Sequence, residues 1–266
     1  MKPPTLDAIA VVLAELIGVA LVMFFGCMGC LPFGETTNQL QTVLNFGFII
    51  MTMIQVFGFI SGAYLNPSVT IAAVIYKKLS IQMAGFYFIA QLIGGFIGMG
   101  MLKIVVPTHL FDGNKTTDAG FCMTIPHSDL SDMQALVIEF FATTVLVFIN
   151  LAIWDHRNEK YQDSAPLKFG FAVFTLGSTA GPLTGASMNP ARSFGPAYWS
   201  GNFKQHWIYW VAPLSSAVIS TYVYRAMFWR KKDKAYISCK EHQLRVPLRQ
   251  PATDECLSCS KTHCET

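Results

Sequence analysis

The stretch Ser61-Gly62-Ala63-Tyr64-Leu65-Asn66-Pro67 is repeated later in the chain as Thr184-Gly185-Ala186-Ser187-Met188-Asn189-Pro190. Both copies follow the pattern Ser/Thr-Gly-Ala-x-x-Asn-Pro, and their Asn residues lie 123 positions apart in a chain of 266 residues. Each copy ends an apolar segment, and its Pro suits the first position of a new helix. Two related halves with helix starts in apolar surroundings indicate a membrane pore or transporter.

The composition agrees with a protein that crosses a membrane several times. The chain is 52% hydrophobic and only 13% charged, whereas a soluble domain carries about 25% charged residues. A helix needs about 20 apolar residues to cross a bilayer. Six runs meet this length, approximately Ala8–Phe33, Leu40–Ile60, Ile81–Val106, Met133–Ile153, Leu167–Leu183 and His206–Trp229.

Two further helices are predicted at the Asn-Pro boxes, over Asn66–Tyr76 and Asn189–Trp199, and both are too short to span. The same spacing aligns residues 45–48 with residues 168–171, so each half contains three spans and one short helix. Because three is odd, the second half enters the membrane from the opposite side. The predicted fold is an all-α membrane protein with six transmembrane helices and two re-entrant half-helices in two inverted repeats.

The domain prediction is a channel domain over residues 1–229 and a polar cytoplasmic tail over residues 230–266. The repeats cover about residues 8–106 and 132–229. Basic residues flank the spans on one side, which places both termini in the cytoplasm. Asn114-Lys115-Thr116 is a possible glycosylation site in a loop that this topology places outside.

From Leu6 to Trp229 the chain resembles the aquaporins of the major intrinsic protein family. The most specific part is the second box, Gly-Ala-Ser-Met-Asn-Pro-Ala-Arg-Ser-Phe-Gly-Pro over residues 185–196. The resemblance implies a passive channel in the cell membrane, not an enzyme, without a cofactor or metal. It also implies a homotetramer in which each protomer has its own pore. The expected partners are water, small neutral solutes and the lipid bilayer. Nucleic acid is not an expected partner, because the sequence indicates no dense basic face.

The two Asn-Pro boxes carry the expected centre of the pore. Free N–H groups and positive helix ends would point there, and the side-chain amides could donate to a passing water. Positive potential at this place opposes cations and protons. A simple N-cap is the alternative role for each Asn. The residues of the two boxes are Asn66, Pro67 and Ser68, and Asn189, Pro190 and Ala191.

The resemblance places the selectivity filter at Phe46, Ala186 and Arg192, with a fourth position on the fifth span. Water-selective relatives carry His there, whereas this chain offers Ser178, with Gly177 as the rival assignment. A filter without the imidazole is wider and suits a polyol. This combination resembles a glycerol-permeable branch known in insects, which arose from water channels, although classical glycerol channels carry Asp where this chain has Ser193.

Single carboxylates occur in two apolar spans, at Glu15 and Glu139. An intramembrane acid is a functional candidate, either in a proton relay or as a brace that accepts the backbone N–H groups of a re-entrant loop. Their equivalent places in the two halves favour bracing. Tyr64 either lines the cytoplasmic mouth or packs against neighbouring helices.

Cys27 and Cys30 are predicted to be packing residues, and Cys122 has no obvious partner in its loop. The tail segment Cys256-x2-Cys259-x3-His263-Cys264 contains metal-ligand residue types. Its spacing is cramped for one site, so no metal site is predicted.

The sequence therefore predicts a passive channel for water and small uncharged solutes such as glycerol and urea that excludes ions and protons. The alternatives are a strictly water-selective aquaporin and a structural or adhesion relative with a poorly conducting pore. A secondary transporter also uses inverted repeats, but it would need ion-binding acids beside the short helices.

Overall fold

A computed structural model describes residues 4–31, 38–111 and 121–230, and it is helical throughout most of these ranges. Asn114 and residues 231–266, including the tail cysteines, lie outside the described residues. A 3-10 segment, His156–Ser164, connects two of the helices. The helices are α1 Pro4–Met28, α2 Gln39–Ser61, α3 Pro67–Ile75, α4 Ile81–Val105, α5 Thr108–Phe111, α6 Asp132–Trp154, α7 Ala165–Thr184, α8 Pro190–Ser200 and α9 Ile208–Met227.

Four of the helices, α1, α2, α4 and α6, are long and apolar enough to cross a membrane. Helices α7 and α9 have 20 residues each, but they are less apolar and contain Pro182 and Pro213. Residues Met1–Met227 form one compact unit, and a second unit runs from Phe228 to Thr266. Nearly all of the second unit lies outside the described residues, and the boundary at residue 229 stays a prediction.

The two signature stretches end one helix and begin the next in the same way. Helix α2 stops at Gly62 with φ 85°, and α7 stops at Gly185 with φ 83°. Glycine suits these positions because it has no Cβ to clash in the left-handed region. Asn66 and Asn189 are then extended N-caps, and each is followed by Pro at the start of a short helix.

The packing of the helices repeats between the two halves. Helix α1 packs on α2 and α4, and its counterpart α6 packs on α7 and α9. Each short helix packs mainly on the last helix of the other half, α3 on α9 and α8 on α4. The halves meet where α2 crosses α7 and where α3 meets α8. This exchange of short helices is the arrangement that inverted repeats produce, and it confirms the predicted fold class.

The crossing of α2 and α7 depends on two equivalent glycines. A Cβ at Gly47 would lie 2.7 Å from the carbonyl oxygen of Gly170, and a Cβ at Gly170 would lie 3.1 Å from the oxygen of Gly47. The two positions are 123 residues apart, the same offset that relates the two boxes. The pseudo-twofold axis therefore passes between these glycines, and larger residues would push the halves apart.

We expect Gly47→Ala to destabilise the protein by about 1–3 kcal/mol, because an added methyl group overpacks this backbone contact. Thermal unfolding of the purified protein in detergent measures the effect. Gly85→Ala is the matched control, since a Cβ there meets nothing within 4 Å. Equal melting temperatures for the two variants would show that the crossing tolerates separation.

Candidate pore

The loops between long and short helices hold ordinary residues in an unfavourable backbone conformation. Ala63 and Leu65 have φ values of 45° and 51°, and the equivalent Ala186 and Met188 have 45° and 52°. Non-glycine residues at positive φ cost about 1–3 kcal/mol each. The loops therefore need strong local contacts to keep this shape.

Glu15 supplies those contacts in the first half. Its fully buried carboxylate accepts hydrogen bonds from the backbone N–H groups of Tyr64 at 2.9 Å and Leu65 at 2.7 Å. It also accepts from the Ser61 hydroxyl at 2.7 Å and from the Gln91 amide at 2.8 Å. The carboxylate is buried with four donors, which is the condition under which a buried acid is tolerated.

Glu139 does the same in the second half, with one donor fewer among the described residues. It accepts from the N–H groups of Ser187 and Met188, both at 2.8 Å, and from the Thr184 hydroxyl at 2.7 Å. The position equivalent to Gln91 is Pro213, which has no side-chain amide. The sequence identified both carboxylates, but it did not single out Gln91 as a partner.

Asn66 and Asn189 act as caps and also connect the halves. Their Oδ1 atoms accept from the first N–H groups of the short helices, Ser68 at 2.8 Å and Ala191 at 3.0 Å. Their amide groups donate to the opposite loop, Asn66 to the Met188 carbonyl and Asn189 to the Leu65 carbonyl, both at 2.9 Å. Each Asn therefore caps its own short helix through the side-chain oxygen and contacts the opposite half through the side-chain nitrogen.

A cavity of about 1190 Å³ runs along the interface of the two halves. Both Asn residues line it. Its wall also includes Lys78 and Asp163 at the end of the bundle where α1 begins, here called the near end. Gln39 and Met123 line it at the opposite, far end. The cavity thus extends past the centre toward both ends, as a pore requires.

At the far end, Phe46 and Arg192 face each other with the guanidinium carbon 4.9 Å from the ring centroid. Both residues line the cavity, and so does Ala186. Of the two candidates on α7, Gly177 lines the cavity and Ser178 is not among its lining residues. The Ser178 hydroxyl donates instead to the Phe174 carbonyl at 2.7 Å. The geometry therefore favours Gly177, the rival assignment, as the α7 residue at the pore wall.

Toward the near end, Tyr64 both lines the cavity and packs against aromatic neighbours. Its ring centroid lies 5.4 Å from that of Trp154 and 5.7 Å from that of Tyr87. The Tyr87 hydroxyl donates to the Ser61 carbonyl, as the equivalent Tyr209 hydroxyl does to Thr184. The two roles considered for Tyr64 are thus compatible.

An ion pair stabilises the segment that connects α6 and α7 at the near end. The Arg157 guanidinium donates to both oxygens of Asp155, at 2.9 and 2.7 Å. These hydrogen bonds lower the pKa of Asp155 below its usual range, so the carboxylate stays charged at neutral pH. The buried Asp155 also caps the 3-10 segment through the Arg157 N–H.

The structure corrects the prediction for the cysteines. Cys27, at the end of α1, forms a disulfide with Cys122, 95 residues away. Cys30 keeps a free thiol, 3.8 Å from the Cys122 sulfur. The available sequence signal was that Cys27 lies in the last third of its predicted span, Ala8–Phe33, on the same side of the membrane as the Cys122 loop. The prediction missed it because apolar surroundings alone favoured a packing role.

Ser68 occupies the third position of the first box, and its buried hydroxyl has no hydrogen-bond partner among the described residues. Its equivalent, Ala191, has no hydroxyl. An unsatisfied buried hydroxyl costs about 1–3 kcal/mol. The first box therefore has an unfavourable free-energy contribution from this hydroxyl that the second box lacks.

We expect Ser68→Ala to raise the thermal stability of the purified protein, because it removes that unsatisfied group. Ser193→Ala is the matched control, since the Ser193 hydroxyl lies 2.5 Å from Ser187 Oγ and 2.6 Å from Thr124 Oγ1. That variant should lose stability in the same detergent assay. A loss of stability in Ser68→Ala would mean that its hydroxyl has a favourable partner.

Comparison with known proteins agrees with this geometry. The sequence profile of the family described as "Major intrinsic protein" matches residues 4–224. Mouse aquaporin-4 is 38% identical over 242 residues, covering 89% of this chain and 70% of the relative. The lens fiber major intrinsic protein of Lithobates pipiens is 38% identical over 215 residues, covering 80% and 79%. The X-ray structure of the aquaglyceroporin from Plasmodium falciparum has the same fold, with a TM-score of 0.72, 23% identity, and coverage of 83% of this chain and 96% of that one.

Proposed function

We propose that this chain, which belongs to the major intrinsic protein family, conducts glycerol and urea as well as water. Members of this family are passive membrane channels and not enzymes. The observation that carries the proposal is the pore wall at the far end, where Gly177 lines the cavity together with Phe46 and Arg192. No imidazole lies among the described lining residues of that cavity, which supports a filter wide enough for a polyol.

The chemistry of the filter suits a solute with one apolar and one polar edge. The Phe46 ring offers an apolar surface for a carbon backbone, and the Arg192 guanidinium offers N–H donors to hydroxyl groups. The small residues Gly177 and Ala186 leave the remaining walls open. This filter chemistry supports the proposal that the chain resembles the insect glycerol-permeable branch, whose filter lost the His of water channels.

Ion and proton exclusion would come from the centre of the pore and from Arg192. The N-termini of α3 and α8 direct positive dipole ends toward the cavity, and Asn66 and Asn189 line it there. Arg192 adds a full positive charge, so cations meet a barrier in two places. In this proposal Glu15 and Glu139 brace the loops, and Tyr64 lines the cytoplasmic mouth.

The protein is expected to be a homotetramer in the cell membrane with both termini in the cytoplasm. Strict water selectivity is the second candidate, supported by the similarity to mouse aquaporin-4. Ser193 also favours it, because classical glycerol channels carry Asp at this place. A poorly conducting structural relative is the third, and flux measurements separate all three.

Reconstituted liposomes should shrink quickly under an impermeant osmolyte and re-swell when glycerol or urea is the osmolyte. Stopped-flow light scattering records both phases, with empty liposomes as the reference. Glycerol and urea flux no faster than in empty liposomes, with rapid water flux, would establish the water-selective alternative. Background rates for all three would establish the structural one.

We expect Gly177→His to reduce glycerol flux by about tenfold or more while water flux continues, because a barrier of about 1.4 kcal/mol gives that factor. A Cβ at Gly177 lies 3.1 Å from Val43 Cγ1. The side chain of Val43 therefore restricts the orientations that the introduced imidazole can adopt. Ser178→His is the matched control, and its effect on glycerol flux should be small. The reverse order of effects would assign the filter position to Ser178.

A further inference from the structure

Cys122 connects the disulfide directly to the filter. Its sulfur is bonded to Cys27 of α1, and its backbone carbonyl accepts a hydrogen bond from Arg192 Nη1 at 2.7 Å. Arg192 Nη2 lies 3.7 Å from the same sulfur. One residue thus carries both the covalent tether of its loop and the atoms that hold the filter guanidinium.

The guanidinium depends strongly on this residue. Among the described residues, both of its side-chain hydrogen bonds go to Cys122, and its guanidinium also lies over the ring of Phe46. Cys122 itself has φ 57°, a conformation that a non-glycine residue adopts only when its surroundings hold it. The covalent bond to Cys27 is a contact able to hold it.

The neighbouring part of the loop has its own anchor. The hydroxyl of Thr124 lies 2.6 Å from that of Ser193 on α8, and the Thr124 side chain is buried. Loss of the disulfide would therefore free Cys122 locally and leave the loop attached two residues further on. The effect expected is a change in the filter, not unfolding of the loop.

A second thiol is available to the same sulfur. Cys30 lines the cavity beside Cys122, and its sulfur lies 3.8 Å from Cys122 Sγ. Thiol–disulfide exchange needs a thiolate within reach of a disulfide sulfur. Here the Cys30 thiolate would bond to Cys122 Sγ, the Cys27–Cys122 bond would break, and its electron pair would leave on Cys27. Cys27 then takes up the proton that Cys30 lost, with no net oxidation.

We propose that the Cys27–Cys122 disulfide is a positioning element for Arg192, with Cys30 as a reserve partner that can take over the bond to Cys122. The effect on solute selectivity rests on the proposed function, whereas the pairing of the three cysteines does not. Reduction of Cys122 leaves the guanidinium without a fixed acceptor. The side chain then spreads over rotamers that cross the pore, which obstruct glycerol more than water.

The test reduces the reconstituted wild-type protein with a phosphine reductant, so that folding precedes the loss of the disulfide. The glycerol-to-water flux ratio should fall by about fivefold, the factor that corresponds to one net hydrogen bond of ordinary strength. Mass spectrometry of alkylated peptides reports which thiols are free. An unchanged ratio in protein whose Cys27 and Cys122 are both alkylated would overturn the positioning role.

Three variants test the reserve partner. Cys30→Ser should behave like the wild type before and after reduction. Cys27→Ser, expressed under the oxidising conditions that form the wild-type disulfide, should form a Cys30–Cys122 disulfide, with the two electrons and two protons of the thiols passing to the cellular thiol oxidant. This variant should keep a near-normal ratio and lose it on reduction. Cys27→Ser with Cys30→Ser should have the low ratio from the start and not respond to the reductant. An unpaired Cys122 in Cys27→Ser would overturn the reserve role.

The two proposals fail in different ways. If the wild type does not conduct glycerol, the proposed polyol function is wrong, but peptide mapping still decides the pairing. Water permeability per channel then replaces the flux ratio, and it should fall on reduction, because the freed guanidinium obstructs the same filter. Water permeability that is unchanged after complete reduction would overturn the positioning role independently of any solute.

Discussion

Two buried carboxylates hold the central loops of this protein in a shape that the chain would not otherwise adopt. Each loop has two non-glycine residues at positive φ, and each carboxylate accepts the two consecutive backbone N–H groups of its loop. A buried carboxylate is itself costly unless it is hydrogen-bonded. The carboxylate holds the loop in its unfavourable conformation, and the loop N–H groups supply the hydrogen bonds that the buried carboxylate needs. Removal of either would leave the other without support.

This mutual dependence fixes the pore because the loops determine where the short helices begin. Asn66 and Asn189 follow the loops directly, and each amide donates to a carbonyl of the opposite loop. The two carbonyls belong to Leu65 and Met188, the same residues whose N–H groups are held by Glu15 and Glu139. The carboxylates therefore act on the interface of the halves through one residue on each side, Leu65 and Met188.

The repeat made the architecture predictable from the sequence, whereas the disulfide and the contact of Gln91 with Glu15, which each occur once, were missed. The six spans, the short helices and the paired carboxylates have counterparts at offsets of 122 to 124 residues, so each observation supported another. The disulfide has no counterpart in the other half, and neither does Gln91, whose equivalent is Pro213. The choice between Gly177 and Ser178 depended on the rotation of one helix, which a one-residue uncertainty in alignment changes by about 100°.

The residues that form the filter lie at the far end, and Arg192, the charged one among them, differs from its equivalent in the other half. This has a physical reason. The centre must present nearly the same field to both sides, because it excludes charge from either direction, and symmetric loops provide that. Selection of a solute needs only one narrow place, so it is built from residues of unequal origin: an aromatic ring, a guanidinium and small side chains. Arg192 is part of the second short helix, whereas its equivalent in the first half, Val69, is apolar and buried. A charge present on one side alone needs its own acceptor, and the tethered carbonyl of Cys122 supplies it.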